Sequence, residues 1–151
     1  MNRTLTETET TALLTEQLYG HLGCTMDDGR VYIVPMTFAY RDNALYSFTY
    51  TGQKIEMLRR HPAACFQTEQ FLREGTWDSV IVWGRYEEIP EAEHMQAIEI
   101  LTERLQREEG RATSALYNEL LPKKKDLSNG RERVFFRIHI EEKTGLRVQN
   151  D

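Results

Sequence analysis

Hydrophobic and polar residues alternate along most of this chain, a pattern typical of β-strands with one buried face. The clearest example spans residues 31–40, where every second side chain is large and apolar. Residues 79–88 begin instead with a continuous apolar run, which is typical of a strand covered on both faces. The pattern predicts strands at 21–26, 31–40, 45–50, 64–68, 79–88 and 134–140, with a loop at 71–78.

A proline lies in the middle of the longest alternating segment. Pro35 cannot donate a hydrogen bond to a neighbouring strand. We therefore expect this point to lie at a sheet edge, at a bulge, or where something other than a strand approaches the chain.

Three segments with helical spacing separate the strands. They are expected at 8–18, 52–60 and 90–110, and a short further helix is expected at 112–121. The order of elements predicts a single α+β domain over residues 1–151, mainly β, as a closed or nearly closed antiparallel barrel with helices packed outside. Within it we distinguish an N-terminal helical part (1–19), a helix and loop excursion (110–131) and a closing strand (132–148).

Composition narrows the class of protein. The chain has 151 residues and a net charge of −5, which argues against a general nucleic-acid binder. No apolar run is long enough to cross a bilayer, and the start lacks the pattern of a secretory signal, so the expected compartment is the cytoplasm. In that reducing compartment Cys24 and Cys65 are expected to be buried thiols, with a disulfide as the less favoured reading. The scattered histidines predict no metal site.

The junction at residues 50–54 carries the most specific local signal. Thr51 is a reasonable N-cap, and Lys54 then stands in the first helical turn, where the helix dipole disfavours a cation. A bound anion would explain the lysine, because free amides, the dipole and the ammonium all favour negative charge there. The alternative is an ordinary surface lysine at a solvated helix end. Aromatic residues around the same predicted sheet suit either a planar cofactor or a core.

Several segments together resemble the pyridoxamine 5′-phosphate oxidase-like flavoproteins, and the nitroimidazole-reductase-like branch above all. The likeness runs from about residue 20 to 147. It is carried by GHLGCT (20–25), DGRVYIVPMTF (28–38), LYSF (45–48), GQKIEMLRRHP (52–62), WDSVIVWGR (77–85), FRI (136–138) and TG (144–145).

The resemblance implies an FMN-binding split β-barrel of antiparallel Greek-key type that forms a homodimer with FMN at the interface. The family's phosphate-binding arginine–lysine pair corresponds to Gln53 and Lys54, which loses one charge. Residues facing the ring, ribityl chain and phosphate would be Met36, Thr37, Phe48, Thr49, Gln53 and Lys54. Trp77, Ser79 and Val80 would also line the site, contributed either by the same protomer or by the second one.

The implied activity is reduction of a small organic molecule with electrons from NAD(P)H. A nitroaromatic compound is one candidate substrate. No catalytic residue is assigned, and His21 and Tyr50 are only candidates as proton donors. The alternative is a carrier or sensor that binds flavin, the deazaflavin F420 or haem without turnover, with His139 or His21 as an axial haem ligand. A third hypothesis is a structural dimer with an empty site.

Overall fold

The structure, a computed structural model of the chain, describes residues 1–108 and 130–149, with Ala115, Asn118 and Leu120 between them. Helices α1, α2 and α3 span Glu7–Glu16, Gln53–Arg60 and His94–Gln106, and a 3-10 turn at Glu91–Glu93 precedes α3. Strands β1 to β8 span Arg3–Thr4, Tyr19–Thr25, Val31–Thr37, Ala39–Arg41, Ala44–Tyr50, Ala63–Arg73, Thr76–Glu88 and Arg133–Gln149.

The strands form one antiparallel sheet that curls back towards itself. Its order is β3-β2-β6-β7-β8-β5-β4, and the short β1 pairs with β8. Strands β3 and β4 are consecutive in the chain but lie at opposite ends of this order, so the chain carries one sheet edge directly into the other at Phe38. The mainly β, antiparallel split barrel expected from the sequence is confirmed.

Two apolar clusters stabilise the barrel. The larger one fills the interior and includes fully buried Leu22, Phe66 and Phe136 from three strands. The smaller one lies under α3, where Ile100 and Leu101 pack with residues of β4, β5 and β8. Strand residues alternate between these faces because successive side chains of a strand point in opposite directions.

The expectation of a loop at 71–78 is wrong, because β6 and β7 continue through these residues as a long hairpin. Only Glu74 and Gly75 turn the chain, and Gly75 has φ of +70°. Phe71 and Trp77 are cross-strand partners whose ring centroids lie 6.2 Å apart. Pairing of the two aromatic side chains stabilises the strands here, although the polar residues between them in the sequence predict a loop.

The strand expected at 31–40 is interrupted. β3 ends at Thr37, and the buried Phe38 separates it from β4. The expectation for Pro35 is confirmed in its first form: β3 pairs only with β2 among the described strands, and Pro35 lies opposite His21 on that edge.

The helices follow the expected segments with shifted ends. α1 begins and ends slightly earlier than expected, and Pro90 precedes a 3-10 turn before α3 begins. The third helix, expected to continue to Gly110, ends earlier at Gln106, and most of the helix expected at 112–121 lies outside the described residues. Among the described helices, none has the length and apolar character needed to span a bilayer.

Candidate functional site

A cavity of about 310 Å³ lies between the end of β3, the middle of β5 and the start of α2. Its size is at the lower end of the range for small-molecule sites, and one side is open. The structure brings five of the nine predicted cofactor-binding residues together here. The lining residues are Tyr19, Pro35, Met36, Thr37, Ser47, Phe48, Thr49 and Lys54.

No side chain of the described residues caps the N-terminus of α2. Gly52 is the N-cap, and the first helical hydrogen bond runs from the Glu56 amide to the Gly52 carbonyl at 3.1 Å. The expectation that Thr51 caps the helix is wrong, because its amide donates to the Glu132 carbonyl at 2.8 Å and continues the pairing of β5 with β8. The amides of the first helical turn therefore have no acceptor within the helix.

Lys54 extends from this uncapped turn into the cavity wall. Its side chain is half-buried, and within residues 1–108 and 130–149 its ammonium forms no hydrogen bond or ion pair. Burial lowers the pKa of Lys54, because water that would stabilise the charge is excluded. An anion at the α2 N-terminus would compensate both the desolvated ammonium and the free amides.

The other predicted site residues lie apart from the cavity. Gln53 is exposed at the first position of α2. Trp77 and Ser79 lie on the outward face of β7, whereas the side chain of Val80 is fully buried in the core. Val80 therefore has no side-chain atom free to line a cofactor site on the sheet surface.

Two lining residues, Tyr19 and Ser47, were missed by the sequence reasoning. Tyr19 begins β2 beside Thr37, its partner in the sheet. Ser47 is buried on β5 and donates its hydroxyl to the Thr37 carbonyl at 2.7 Å. The available signal was a small polar residue at a core-facing position of an otherwise apolar strand.

The candidate proton donors and haem ligands lie outside the cavity lining. His21 is exposed on β2, and His139 is hydrogen-bonded to Glu87 on β7. Tyr50 lies at the end of β5 with the Arg131 guanidinium 5.6 Å from its ring. Cys24 and Cys65 are both free thiols. Among the described residues, no group of histidine, cysteine and acidic side chains has the arrangement of a metal site.

The outward face of the sheet carries exposed apolar side chains. Ile33, Cys65 and Trp83 lie in one row across β3, β2, β6 and β7, because Gly23 is opposite both Ile33 and Cys65, and Cys65 is opposite Trp83. Ile33 is 65 % exposed and Trp83 is 41 % exposed. We call this the outer face; its further large apolar members are Val31, Phe71, Trp77, Ile81 and Leu146.

Comparison with known proteins identifies relatives over nearly the whole chain. The family model described as pyridoxamine 5′-phosphate oxidase matches residues 6–147. An uncharacterized protein of Rhizobium meliloti is 33 % identical over 132 residues, which cover 82 % of this chain and 80 % of that protein.

Solved structures give the same result for the fold. An FAD-binding protein from Mesorhizobium loti is 34 % identical, with a TM-score of 0.74 and 99 % of each chain covered. A Bacteroides thetaiotaomicron protein assigned to 5-nitroimidazole antibiotic resistance has a TM-score of 0.72 at 19 % identity. That match covers 97 % of this chain and 87 % of the other, and it shows the shared fold alone.

Proposed function

This chain belongs to the pyridoxamine 5′-phosphate oxidase family, and on that premise we propose that it is an FMN-dependent oxidoreductase. The observation that carries the proposal is the N-terminus of α2, where an uncapped helical turn and the half-buried Lys54, which has no partner among the described residues, adjoin an open cavity. Such an arrangement suits a phosphate, because amide dipoles and an ammonium act on the same negative charge.

The residues present fit a flavin mononucleotide. Lys54 and the first-turn amides of α2 would hold its phosphate, while Thr37 and Thr49 offer hydroxyls along the cavity between the phosphate and the ring. Pro35 and Met36 would form an apolar wall against the ring and keep water from it. A bound flavin would supply hydride exchange between a donor and an acceptor, and the chain would supply binding and orientation.

We propose FMN rather than FAD because the phosphate site has a single cation among the described residues. Gln53 occupies the first helical position beside Lys54 and adds no charge. The Mesorhizobium relative is described as FAD-binding, and the first phosphate of FAD could be held by the same amides. Parallel titrations with FMN, FAD and riboflavin distinguish these ligands, and tighter binding of FAD than of FMN would overturn the preference.

We propose that the outer face is covered by a second copy of this chain. Exposed apolar surface of this kind, with Ile33 and Trp83 at its centre, marks an interaction site. Trp77 and Ser79 lie on the same face, so a partner protomer would present them towards the open side of the cavity. Because a two-fold interface is self-complementary, one patch serves both protomers.

Light scattering of the flavin-loaded protein tests the dimer. The expected mass is twice the 17.7 kDa of one chain. Trp83→Lys should give monomers and weaken flavin binding, whereas Met95→Lys, which changes an exposed apolar residue on α3, should do neither. A monomeric wild-type protein with flavin bound would contradict the proposal.

For the reaction, we propose reduction of a small organic acceptor, with nitroaromatics as the first class to assay and NAD(P)H as donor. The support is the sequence resemblance to the nitroimidazole-reductase-like branch. Use of NAD(P)H would place the reaction in the cytoplasm. The described residues that line the cavity offer hydroxyls and one ammonium but no carboxylate or imidazole, so the acceptor would take its proton from water or from the partner protomer.

An absorbance spectrum of the purified protein is the first experiment. Flavin bands are expected, and anaerobic NAD(P)H should bleach them, with colour returning when a nitroaromatic is added. Flavin bands that persist with NADH and NADPH would favour the carrier alternative. A Soret band in place of flavin bands would contradict the cofactor assignment.

A further inference from the structure

Ser47 lines the cavity and joins two strands that are not paired with each other. It is only 1 % exposed, and its hydroxyl donates to the Thr37 carbonyl at 2.7 Å. Ser47 belongs to β5 and Thr37 ends β3, and these strands lie near opposite ends of the sheet order. This hydrogen bond therefore crosses the split between the two edges of the barrel.

The peptide group held by Ser47 is also held from its other side. The Phe38 amide, which belongs to the same peptide group as the Thr37 carbonyl, donates to the Leu18 carbonyl at 3.0 Å. The Phe38 side chain is buried and packs edge-on against Phe66 with ring centroids 4.7 Å apart. The bend that carries the chain from β3 into β4 is thus fixed at both ends of one peptide.

A second buried hydroxyl acts on the residue beside Thr37. Thr68 on β6 is 1 % exposed and donates to the Tyr19 carbonyl, also at 2.7 Å. Tyr19 and Thr37 are opposite each other on β2 and β3, and both line the cavity. Two of the few buried polar side chains among the described residues therefore hold the backbone at the cavity rim, which we define as Tyr19 and Thr37.

We propose that Ser47 is a positioning residue of the flavin site. Its hydroxyl orients the Thr37–Phe38 peptide, and this keeps the apolar wall of Pro35 and Met36 at the correct separation from Lys54. The inference rests on the proposed flavin-binding function, because the wall matters only if a ligand lies between it and the phosphate site. Without the hydroxyl, the Thr37 carbonyl loses its side-chain partner and the peptide can rotate towards water.

The experiment compares three variants with the wild-type protein: FMN affinity is measured at a temperature far below unfolding, and thermal stability is measured separately. Ser47→Ala should bind FMN about 10-fold more weakly, which corresponds to about 1.4 kcal/mol. The visible circular dichroism of its bound flavin should also change, because the wall against the ring moves. Tyr86→Phe is the matched control: it removes one buried hydroxyl, bonded to Glu88 at 2.9 Å, at a place outside the cavity.

Ser47→Thr keeps the hydroxyl and should restore both FMN affinity and the flavin spectrum. If Ser47→Ala does not fold, Ser47→Cys replaces it, since a thiol of similar size is a weak donor. Unchanged FMN affinity in Ser47→Ala, or an equal loss in Tyr86→Phe, would overturn the inference while leaving the flavin assignment intact. Failure of the wild-type protein to bind any flavin would instead overturn the proposed function on which it rests.

Discussion

The N-termini of α1 and α2 are built in opposite ways. At α1 the Thr6 hydroxyl accepts from the Glu9 amide at 3.2 Å, and the Glu9 carboxylate accepts from the Thr6 amide at 2.8 Å, which completes a capping box. Arg3 adds two hydrogen bonds to the same carboxylate. At α2 the N-cap is Gly52, no side chain caps the helix, and the first turn carries Lys54.

The difference shows where the chain satisfies its own backbone and where it leaves donors for something else. A helix start without caps costs stability relative to a capped one, by about 1 kcal/mol for a good N-cap side chain. In α1 the capping residues meet that need within the chain. In α2 the open donors coincide with the cavity and with a cation, which is the arrangement expected at an anion-binding helix terminus.

The largest expected effect comes from removing the charge of Lys54. Lys54→Gln should weaken FMN binding roughly 10- to 100-fold, the range for loss of a charged hydrogen bond, while unfolding temperature changes little. Riboflavin, which lacks the phosphate, should lose no affinity. Fluorescence titration measures both.

Arg60→Gln is the matched control, because it removes a cation from the other end of the same helix. Its FMN affinity should equal that of the wild-type protein. An equal loss in Arg60→Gln would mean that only the overall charge matters, and unchanged binding in Lys54→Gln would remove the phosphate site from α2.

The next effect concerns the capped helix. Thr6→Ala deletes half of the capping box and should lower stability by about 1 kcal/mol. FMN affinity should stay the same, since no residue of α1 is among those that line the cavity. Urea unfolding and FMN titration of one preparation test both, and a coupled loss of affinity would show that the two helix ends are not independent.

A smaller effect is expected from adding a cap to α2. Gly52 has an extended φ of 174°, and a Cβ there would meet nothing closer than the Tyr50 carbonyl oxygen at 4.0 Å. Gly52→Ser should therefore raise the stability of the flavin-free protein by a few tenths of a kcal/mol. Because the new hydroxyl competes for the same amides, FMN should bind more weakly. A variant that gained both stability and affinity would contradict an open anion site.

The two helix starts should also respond to opposite ends of the pH scale. Hydrogen bonds from Arg3, and then from the Thr6 amide, hold the pKa of Glu9 at about 2, below its usual 4.5. Stability from Glu9 is therefore present above pH 4.5 and lost as pH falls towards 2, and Glu9→Gln should remove that part of the acid dependence.

At α2 the direction is reversed. Burial lowers the pKa of Lys54 below its usual 10.5, so the cation that would bind the phosphate is lost as pH rises through that lowered value. The FMN affinity difference between wild type and Lys54→Gln should shrink as pH rises towards 10.5. A difference that stays constant across this range would show that the ammonium does not bind the phosphate.

Much of the candidate site could be predicted because it depends on local signals. Pro35 within a strand pattern indicated a sheet edge, and Lys54 at a strand-to-helix junction indicated an anion site; both residues line the cavity. The ordered motifs added Met36, Thr37, Phe48 and Thr49, which the fold brings to the same place.

The features that were missed depend on contacts between different strands or their ends, which the local pattern of residues does not show. The cap at Thr51 failed because Glu132, 81 residues further on, takes its amide into the sheet. The loop expected at 71–78 failed because Phe71 finds Trp77 across a two-residue turn. The role of Ser47 was missed because its hydrogen bond to the Thr37 carbonyl forms only when the sheet curls and brings β5 close to the end of β3.

The most direct test of the account is a comparison of backbone amide shifts in the isotope-labelled protein with FMN and with riboflavin. We predict that FMN, and not riboflavin, shifts the amides of Gln53, Lys54 and Ile55 strongly downfield, while the amides of Glu7 and Glu9 at the start of α1 stay unchanged. If FMN binds and leaves the first-turn amides of α2 where riboflavin leaves them, the phosphate lies elsewhere and the account is wrong.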